Sequence, residues 1–229
     1  VVDLVERRPR GHLRERRGEG HHDVAARVDA LGVSEQVAQR LRALVDRPSG
    51  AGLAALRGVR RLGAIIAARL SDAGYDLALS SHGAGNPDPV LAEAIARNGC
   101  DWQHFTADLS DSAAASALVG DVAEHFGRAP DLLVNNAAMF GQDGWEAMDA
   151  ASLDAHFRLN LFAPLLLSTA LVKAHGNRPA IVHIVDQRVR NPNGDQLSYT
   201  LSKQALAASV RSMAAALAPH ARVNGVAPG

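Results

Sequence analysis

Tyr199 and Lys203 stand four residues apart in Tyr199-Thr200-Leu201-Ser202-Lys203. On a helix that spacing stacks a phenol and an ammonium on one face. A cation beside a phenol favours the phenolate. The pair therefore predicts a tyrosine of lowered pKa, able to give its proton to an oxygen or nitrogen whose neighbouring carbon receives a hydride. Tyr-x-x-x-Lys also arises by chance on solvated helices, so the assignment depends on what else converges on the same place.

A phenol and an ammonium act on a substrate only where a scaffold turns them into a cleft. From Leu53 onward, short apolar runs alternate with amphipathic stretches. The runs predict strands near Leu53 to Leu56, Asp76 to Ser80, Asp101 to Phe105, Leu132 to Asn135, Ala180 to Val185 and Arg222 to Val226. Helices are predicted over Arg61 to Ser71, Pro89 to Asn98, Ser112 to Phe126, Ser152 to Lys173 and Leu197 to Leu217. The alternation specifies an α/β domain over residues 51–229, a doubly wound Rossmann-type parallel sheet with helices on both faces and six expected strands. Right-handed crossovers gather the loops that follow the strands along one sheet edge, where such folds bind ligands.

Residues 1–50 read differently. The run from Glu6 to Gly20 is charged and offers too little apolar surface to offset the entropy of ordering. Ser34 begins a helical pattern in which Val37, Leu41, Leu44 and Val45 form a stripe, and Pro48 to Gly52 reads as a linker. This segment is expected to be poorly ordered or partly helical.

Acidic and basic side chains balance at 24 each, so no whole-chain field gathers nucleic acid or an anionic membrane. One cysteine, Cys100, leaves no disulfide framework and suits a reducing compartment. No uninterrupted apolar run reaches the ~18 residues of a membrane span, and the N-terminal residues are rich in Arg and Glu. The expectation is a soluble cytoplasmic protein with no metal, nucleic-acid or membrane partner.

Further motifs flank the Tyr/Lys pair in a fixed order. Asp131-Leu132-Leu133-Val134-Asn135-Asn136-Ala137-Ala138 ends a strand, Asn160 lies within a helix, and Arg222-Val223-Asn224-Gly225-Val226-Ala227-Pro228-Gly229 ends another strand. Together with Tyr199 and Lys203 they resemble the short-chain dehydrogenase/reductase family over about three quarters of the chain. The resemblance implies that Asn135 steadies the sheet and that Asn136 and Ala137 lie against a nicotinamide cofactor. It implies that Asn160 belongs to a proton relay and anchors a water. Lys203 would tune the tyrosine and hold ribose, Pro228 and Gly229 would back the nicotinamide, and Asp108 and Leu109 would contact adenine. The resemblance also implies a sheet truncated after the sixth strand. Relatives pair their long helices in dimers and tetramers, so a homo-oligomer is expected.

Where most of the family has serine, Ile181-Val182-His183-Ile184-Val185-Asp186 ends in aspartate. This is similar to pteridine reductases and to dihydromonapterin or dihydrofolate reductases, in which that carboxylate joins the tyrosine in handling protons. A pterin presents ring nitrogens and an amino group, which suit a carboxyl better than a hydroxyl does. Arg60-Arg61-Leu62-Gly63 resembles the arginine form of the glycine-rich turn in the same group, where the arginine reaches both cofactor phosphate and pterin. Phe140 falls where that group stacks an aromatic ring on the substrate. A surface role for Asp186, packing for Phe140 and a solvated charge for Arg61 are the bland alternatives.

NAD-selective sites carry a carboxylate at the end of the second strand, whereas this chain has Ser80-Ser81-His82-Gly83. NADP(H) is the expected cofactor, with Ser81 and His82 donating to a 2′-phosphate and Arg60 adding charge. The glycine-rich turn itself departs from the family: if Gly58 is its first glycine the turn is one residue short, and if the alignment is held from Arg60, Arg57 takes that glycine's place. The expected activity is NADPH-dependent reduction of a pterin or dihydrofolate-like substrate. A general 3-oxoacyl-type ketoreductase and a non-catalytic nucleotide-binding paralogue or fragment, one with a shifted reading frame upstream of about Arg57 included, are the alternatives.

Overall fold

A computed structural model describes residues 2–4, 52–83 and 85–228. Val2–Leu4 (β1) and Gly52–Leu56 (β2) are followed by α1 (Arg61–Asp72), β3 (Tyr75–Ser81), α2 (Pro89–Asn98), β4 (Trp102–Thr106), α3 (Ser112–Phe126) and β5 (Leu132–Asn135). Next comes a long helical run made of α4 (Ala150–Phe157), a π turn (Arg158–Phe162) and α5 (Ala163–Ala174). The chain ends with β6 (Ala180–Ile184), a 3₁₀ turn (Gln187–Val189), α6 (Leu197–Leu217) and β7 (Arg222–Ala227).

All pairings in the sheet are parallel, and the strand order is β1-β7-β6-β5-β2-β3-β4. The six strands expected from the sequence are β2 to β7. The direction of winding reverses between β2 and β5, which pair through Ala54 with Leu132 and Leu56 with Val134. A crevice opens at such a reversal, beyond the carboxyl ends of the strands.

Period-two alternation splits the strand residues between two cores. Ala54, Leu56, Leu77, Leu79, Val134 and Val182 face α1 and α2 with Ile66, Leu70 and Leu91. Leu53, Ala55, Leu133, Ile181 and Val223 face the opposite side with Leu118, Val119, Leu167 and Leu171 of α3 and α5. Ala150–Ala174 is long and apolar enough to cross a membrane by length and composition. Its Leu159, Leu167 and Leu171 are nevertheless packed in the core against the sheet.

Val2–Leu4 lies parallel to Gly225–Ala227 on the outer edge of β7. Six strands were expected, and the edge beyond the sixth is paired with a seventh drawn from the far end of the chain. The expected helix from Ser34 to Val45 and the linker before Gly52 lie outside the described residues.

Candidate active site

The crevice at the sheet reversal is a cleft of about 630 Å³. Its floor is the turn Arg57 to Gly63, one end is Ser81 to Gly83, and the other holds Asp186, Tyr199, Lys203 and Pro228. Asn136 and Ala137 line it between the two ends. A second, apolar cavity lies under the sheet among Ala55, Ala78, Leu118, Leu133 and Leu167; the proton-transfer groups are in the cleft.

Tyr199 sits in the first turn of α6, placed there by a long apolar helix that docks on β7 through Leu206 and Ala207. Its hydroxyl donates to Asp186 Oδ2 at 2.6 Å. The other oxygen of Asp186 accepts from the Arg188 backbone N–H at 2.8 Å, capping the 3₁₀ turn and fixing the carboxylate's orientation. Lys203, one helical turn on, is buried and donates to Ile184 O at 2.8 Å. The phenol, the ammonium and the carboxyl do converge.

Their electrostatics differ from the expectation. Burial pushes the Tyr199 phenol up, and its bond to the Asp186 carboxylate pushes it the same way, with only Arg188 pulling down. A donor held by an anion keeps its proton, so the resting phenol is a loaded acid and not an incipient phenolate. Burial lowers Lys203 to about 8, with Asp186 pulling it back up. The lysine sits beneath the site on the Ile184 carbonyl, and the phenol answers first to Asp186.

Asn160 falls in the π turn, the kind of local defect in a helix that often marks a functional position. It is fully buried. Its Oδ1 accepts from Met139 N–H at 2.7 Å, and its Nδ2 donates to Met139 O and to Ser202 Oγ, both at 3.0 Å. Both amide hydrogens are thus taken by protein, and the side chain ties the loop after β5 to the helix that carries Tyr199.

Phe140, in that same loop, is 58 % exposed, yet its ring meets Tyr199 edge-on with centroids 4.7 Å apart. The ring therefore stands at the mouth of the site. Beneath the site, Asn135 Nδ2 lies 3.1 Å from His183 Nδ1 and 3.4 Å from Ser168 Oγ. Burial, with the Lys203 charge, holds His183 down at about 4, so it stays neutral.

At the cofactor end, the first turn of α1 has no acidic residue, and its N-cap Arg60 makes no side-chain cap bond. The unpaired amides and the positive end of the helix are a ready anion site. Arg60 and Arg61 are exposed beside it, and Arg61 has a φ of 54°, a left-handed conformation that is costly for a residue with a side chain. Leu62 and Gly63 line the floor. A Cβ on Gly63 would run into Arg57 O and lie 2.7 Å from Gly58 Cα, so only glycine allows the turn to close. Gly58 is buried under it. The turn closes tightly over Gly58 and Gly63, with Arg57 O against Gly63. Burial lowers the Arg57 guanidinium and Asp108 counteracts that shift.

Asp108 lies just outside the cleft, with His82 Nδ1 3.8 Å from its Oδ1 and Ser110 hydrogen-bonded to the same oxygen. Leu109 is buried against the apolar cavity. His82 is largely exposed and faces the cleft. Ser81 Oγ donates to Gly83 O at 2.8 Å and lies 2.8 Å from His104 Nε2, so its hydroxyl proton is already committed. Gly229 is outside the described residues. The chain's own groups thus fit a dinucleotide: an anion-binding helix end in mid-cleft, and a polar, proton-transferring end beyond it.

Sequence reasoning missed His104, His156, Asp143, Ser152, Ser202 and His183. Only His183 left a signal, as the one polar residue inside the apolar run Ile181 to Val185. Ser202 stands inside the Tyr199 to Lys203 motif but shows its role only through its bond with Asn160, and the rest are brought in from distant segments.

The family model described as enoyl-(acyl carrier protein) reductase matches residues 54–229. Pteridine reductase 1 of Leishmania tarentolae is 32 % identical over 211 residues, covering 74 % of this chain and 73 % of that protein. The uncharacterized oxidoreductase YjdA of Bacillus subtilis is 31 % identical over 142 residues, covering 60 % of this chain and only 56 % of its own length. Among solved structures, the FolM alternative dihydrofolate reductase 1 of Brucella canis complexed with NADP superposes with a TM-score of 0.71 at 34 % identity, covering 80 % of this chain and 75 % of the other. A short-chain dehydrogenase/reductase of Serratia marcescens gives a TM-score of 0.73 at 30 % identity over the same shares. Matched in sequence, in strand order and in the convergence of Tyr199, Lys203 and Asn160 on one cleft, this chain belongs to the short-chain dehydrogenase/reductase family of oxidoreductases.

Proposed function

We propose that this chain reduces a pterin or dihydrofolate-like substrate with NADPH. The observation that carries the reading is the Asp186 carboxylate, 2.6 Å from the hydroxyl of Tyr199, whose ring meets that of Phe140 edge-on. A ketone needs one proton donor, which a tyrosine supplies alone. A carboxylate adds an acceptor, and a flat heterocycle with ring N–H and amino groups uses both at once.

The cofactor, when bound, supplies the hydride; the rest falls to the chain. The amides at the start of α1, with Arg60 and Arg61, hold the pyrophosphate. His82, exposed at one end of the cleft, would be the residue there to meet a 2′-phosphate, since the end of β3 carries no carboxylate to hold a free 2′-hydroxyl. Asp186 accepts from a ring N–H or amino group of the substrate, which lets go of the phenol. Tyr199 then gives its proton to the ring nitrogen next to the carbon being reduced. Lys203 keeps the positive charge beneath the site that favours the tyrosinate left behind. Phe140 covers the face of the heterocycle that is turned to solvent.

Supporting the reading, the relatives named pteridine reductase 1 and FolM alternative dihydrofolate reductase 1 are 32 % and 34 % identical. We also infer a cytoplasmic homo-oligomer, for which the exposed Phe162 and Leu201 on the long helices are the contact residues. The test is NADPH oxidation followed spectrophotometrically with dihydrobiopterin, dihydrofolate and a 3-oxoacyl thioester, with NADH as the control. Turnover of the pterins and loss of it in Asp186→Ser is the expected result. Turnover of the thioester alone, improved by Asp186→Ser, would establish the ketoreductase alternative instead.

A further inference from the structure

The loop after β5 is held at alternate residues. Met139 N–H goes to Asn160 Oδ1 at 2.7 Å, and Gly141 N–H to His156 Nε2 at 3.1 Å. Asp143 accepts Leu197 N–H on its carbonyl at 2.8 Å and Ser198 N–H on Oδ1 at 3.2 Å, with Ser152 Oγ on Oδ2 at 2.9 Å. Three anchored positions two apart leave the residues between them, Phe140 and Gln142, facing outward.

The middle anchor has a defined chemistry. His156 is buried, and its Nδ1 lies 2.8 Å from Ser152 O, which can only accept. The proton is therefore on Nδ1, and Nε2 presents the bare lone pair that Gly141 N–H requires. The contact is also close: a Cβ on residue 141 would lie 2.9 Å from His156 Cε1 and 3.0 Å from Nε2. A glycine opposite a histidine of one tautomer is a fitted pair.

We propose that His156 is a positioning residue which, through Gly141, holds Phe140 against Tyr199 and so sets where the substrate ring docks. This rests on the reading above, in which Phe140 covers a flat heterocycle. Without the middle anchor, the backbone from Met139 to Asp143 spans free between its two ends, and the Phe140 ring occupies several places. Substrate must then be bound by the fraction of molecules with the loop in place, and affinity falls by that fraction. Once bound, the geometry at Tyr199 and Asp186 is unchanged. The signature is a raised KM with kcat preserved.

Three variants test it, with steady-state kinetics in NADPH and dihydrobiopterin alongside hydrogen exchange at the Gly141 amide. His156→Leu removes both ring nitrogens, Gly141→Ala pushes the loop off an intact His156, and His156→Gln keeps one acceptor and one donor. In the Leu and Ala variants, KM for the pterin is expected to rise about tenfold with kcat and NADPH affinity within about twofold. Gly141 exchange should quicken in both, and the Gln variant should behave like the unaltered chain. An unchanged KM in His156→Leu, or a loss borne by kcat, overturns the proposal. If the unaltered chain turns over no pterin, the substrate reading fails, and exchange alone judges the anchor. Slow exchange in the unaltered and Gln chains against fast exchange in the Leu chain upholds it, and equal rates in all three overturn it.

Discussion

Replacing Asp186 by asparagine should reverse a hydrogen bond. The carboxylate accepts two hydrogen bonds, one from the Arg188 backbone N–H at 2.8 Å and one from the Tyr199 hydroxyl at 2.6 Å. An amide has one oxygen, and the backbone N–H cannot accept, so the asparagine oxygen must turn to Arg188 and its NH₂ to the phenol. Tyr199 then accepts where it used to donate. A hydrogen bond to an anion is worth about 1.5–3 kcal/mol and a neutral one about 0.5–1.5, so the protonated phenol loses roughly 1–1.5 kcal/mol of support, about one pKa unit. Lys203 also loses the charge that raises it, so it should fall further below its resting value of about 8. The chain has two tyrosines, Tyr75 and Tyr199, so a phenolate absorbance titration has two steps to assign. One step should move to lower pH in Asp186→Asn, and Tyr199→Phe should remove that step. With pterin and NADPH, kcat should fall by about 10²-fold and its alkaline limb should move down by about one unit, while NADPH affinity holds. If neither phenol titrates lower in the variant, the argument that Asp186 controls the proton on Tyr199 is wrong.

Asn160→Leu removes the partner of Met139 N–H and C=O and of the buried Ser202 Oγ, and about 2 kcal/mol of stability should be lost in a denaturant titration; a change under about 0.5 kcal/mol would mean these bonds tie nothing together. Gly63→Ala puts a methyl group onto Arg57 O and Gly58 Cα, so calorimetry should show NADPH binding at least about tenfold weaker, and unchanged binding would place the dinucleotide elsewhere. His183, ordinarily near 6.5, is held at about 4 by burial and by Lys203. Between those values the unfolded chain takes up a proton that the folded chain refuses. The contribution of His183 is therefore whole above pH 6.5 and falls by about 3 kcal/mol as the pH drops to about 4. Denaturant midpoints measured across that window should show this slope, and His183→Asn should flatten it.

The periodicity of the sequence was enough to place the six strands from β2 to β7 and the long helices to within a residue or two, because burial on a sheet or a helix repeats at a period that local order displays. The crossover rule was likewise enough to put Asp186, just past β6, at the ligand-binding edge of the sheet, whereas Asn160, Tyr199 and Lys203, which lie on helices, were assigned to the same place by their resemblance to the family's motifs. The contacts among those residues belong to the tertiary structure. Whether Lys203 or Asp186 governs the phenol depends on a 2.6 Å hydrogen bond across thirteen residues, and that follows from how the 3₁₀ turn after β6 packs on α6. The pairing of Val2–Leu4 with β7, and the meeting of Gly141, His156, Asp143 and Ser198, join segments with no shared pattern. A lone histidine or aspartate looks alike in a sequence whether it meets water or a backbone amide, and only packing decides which.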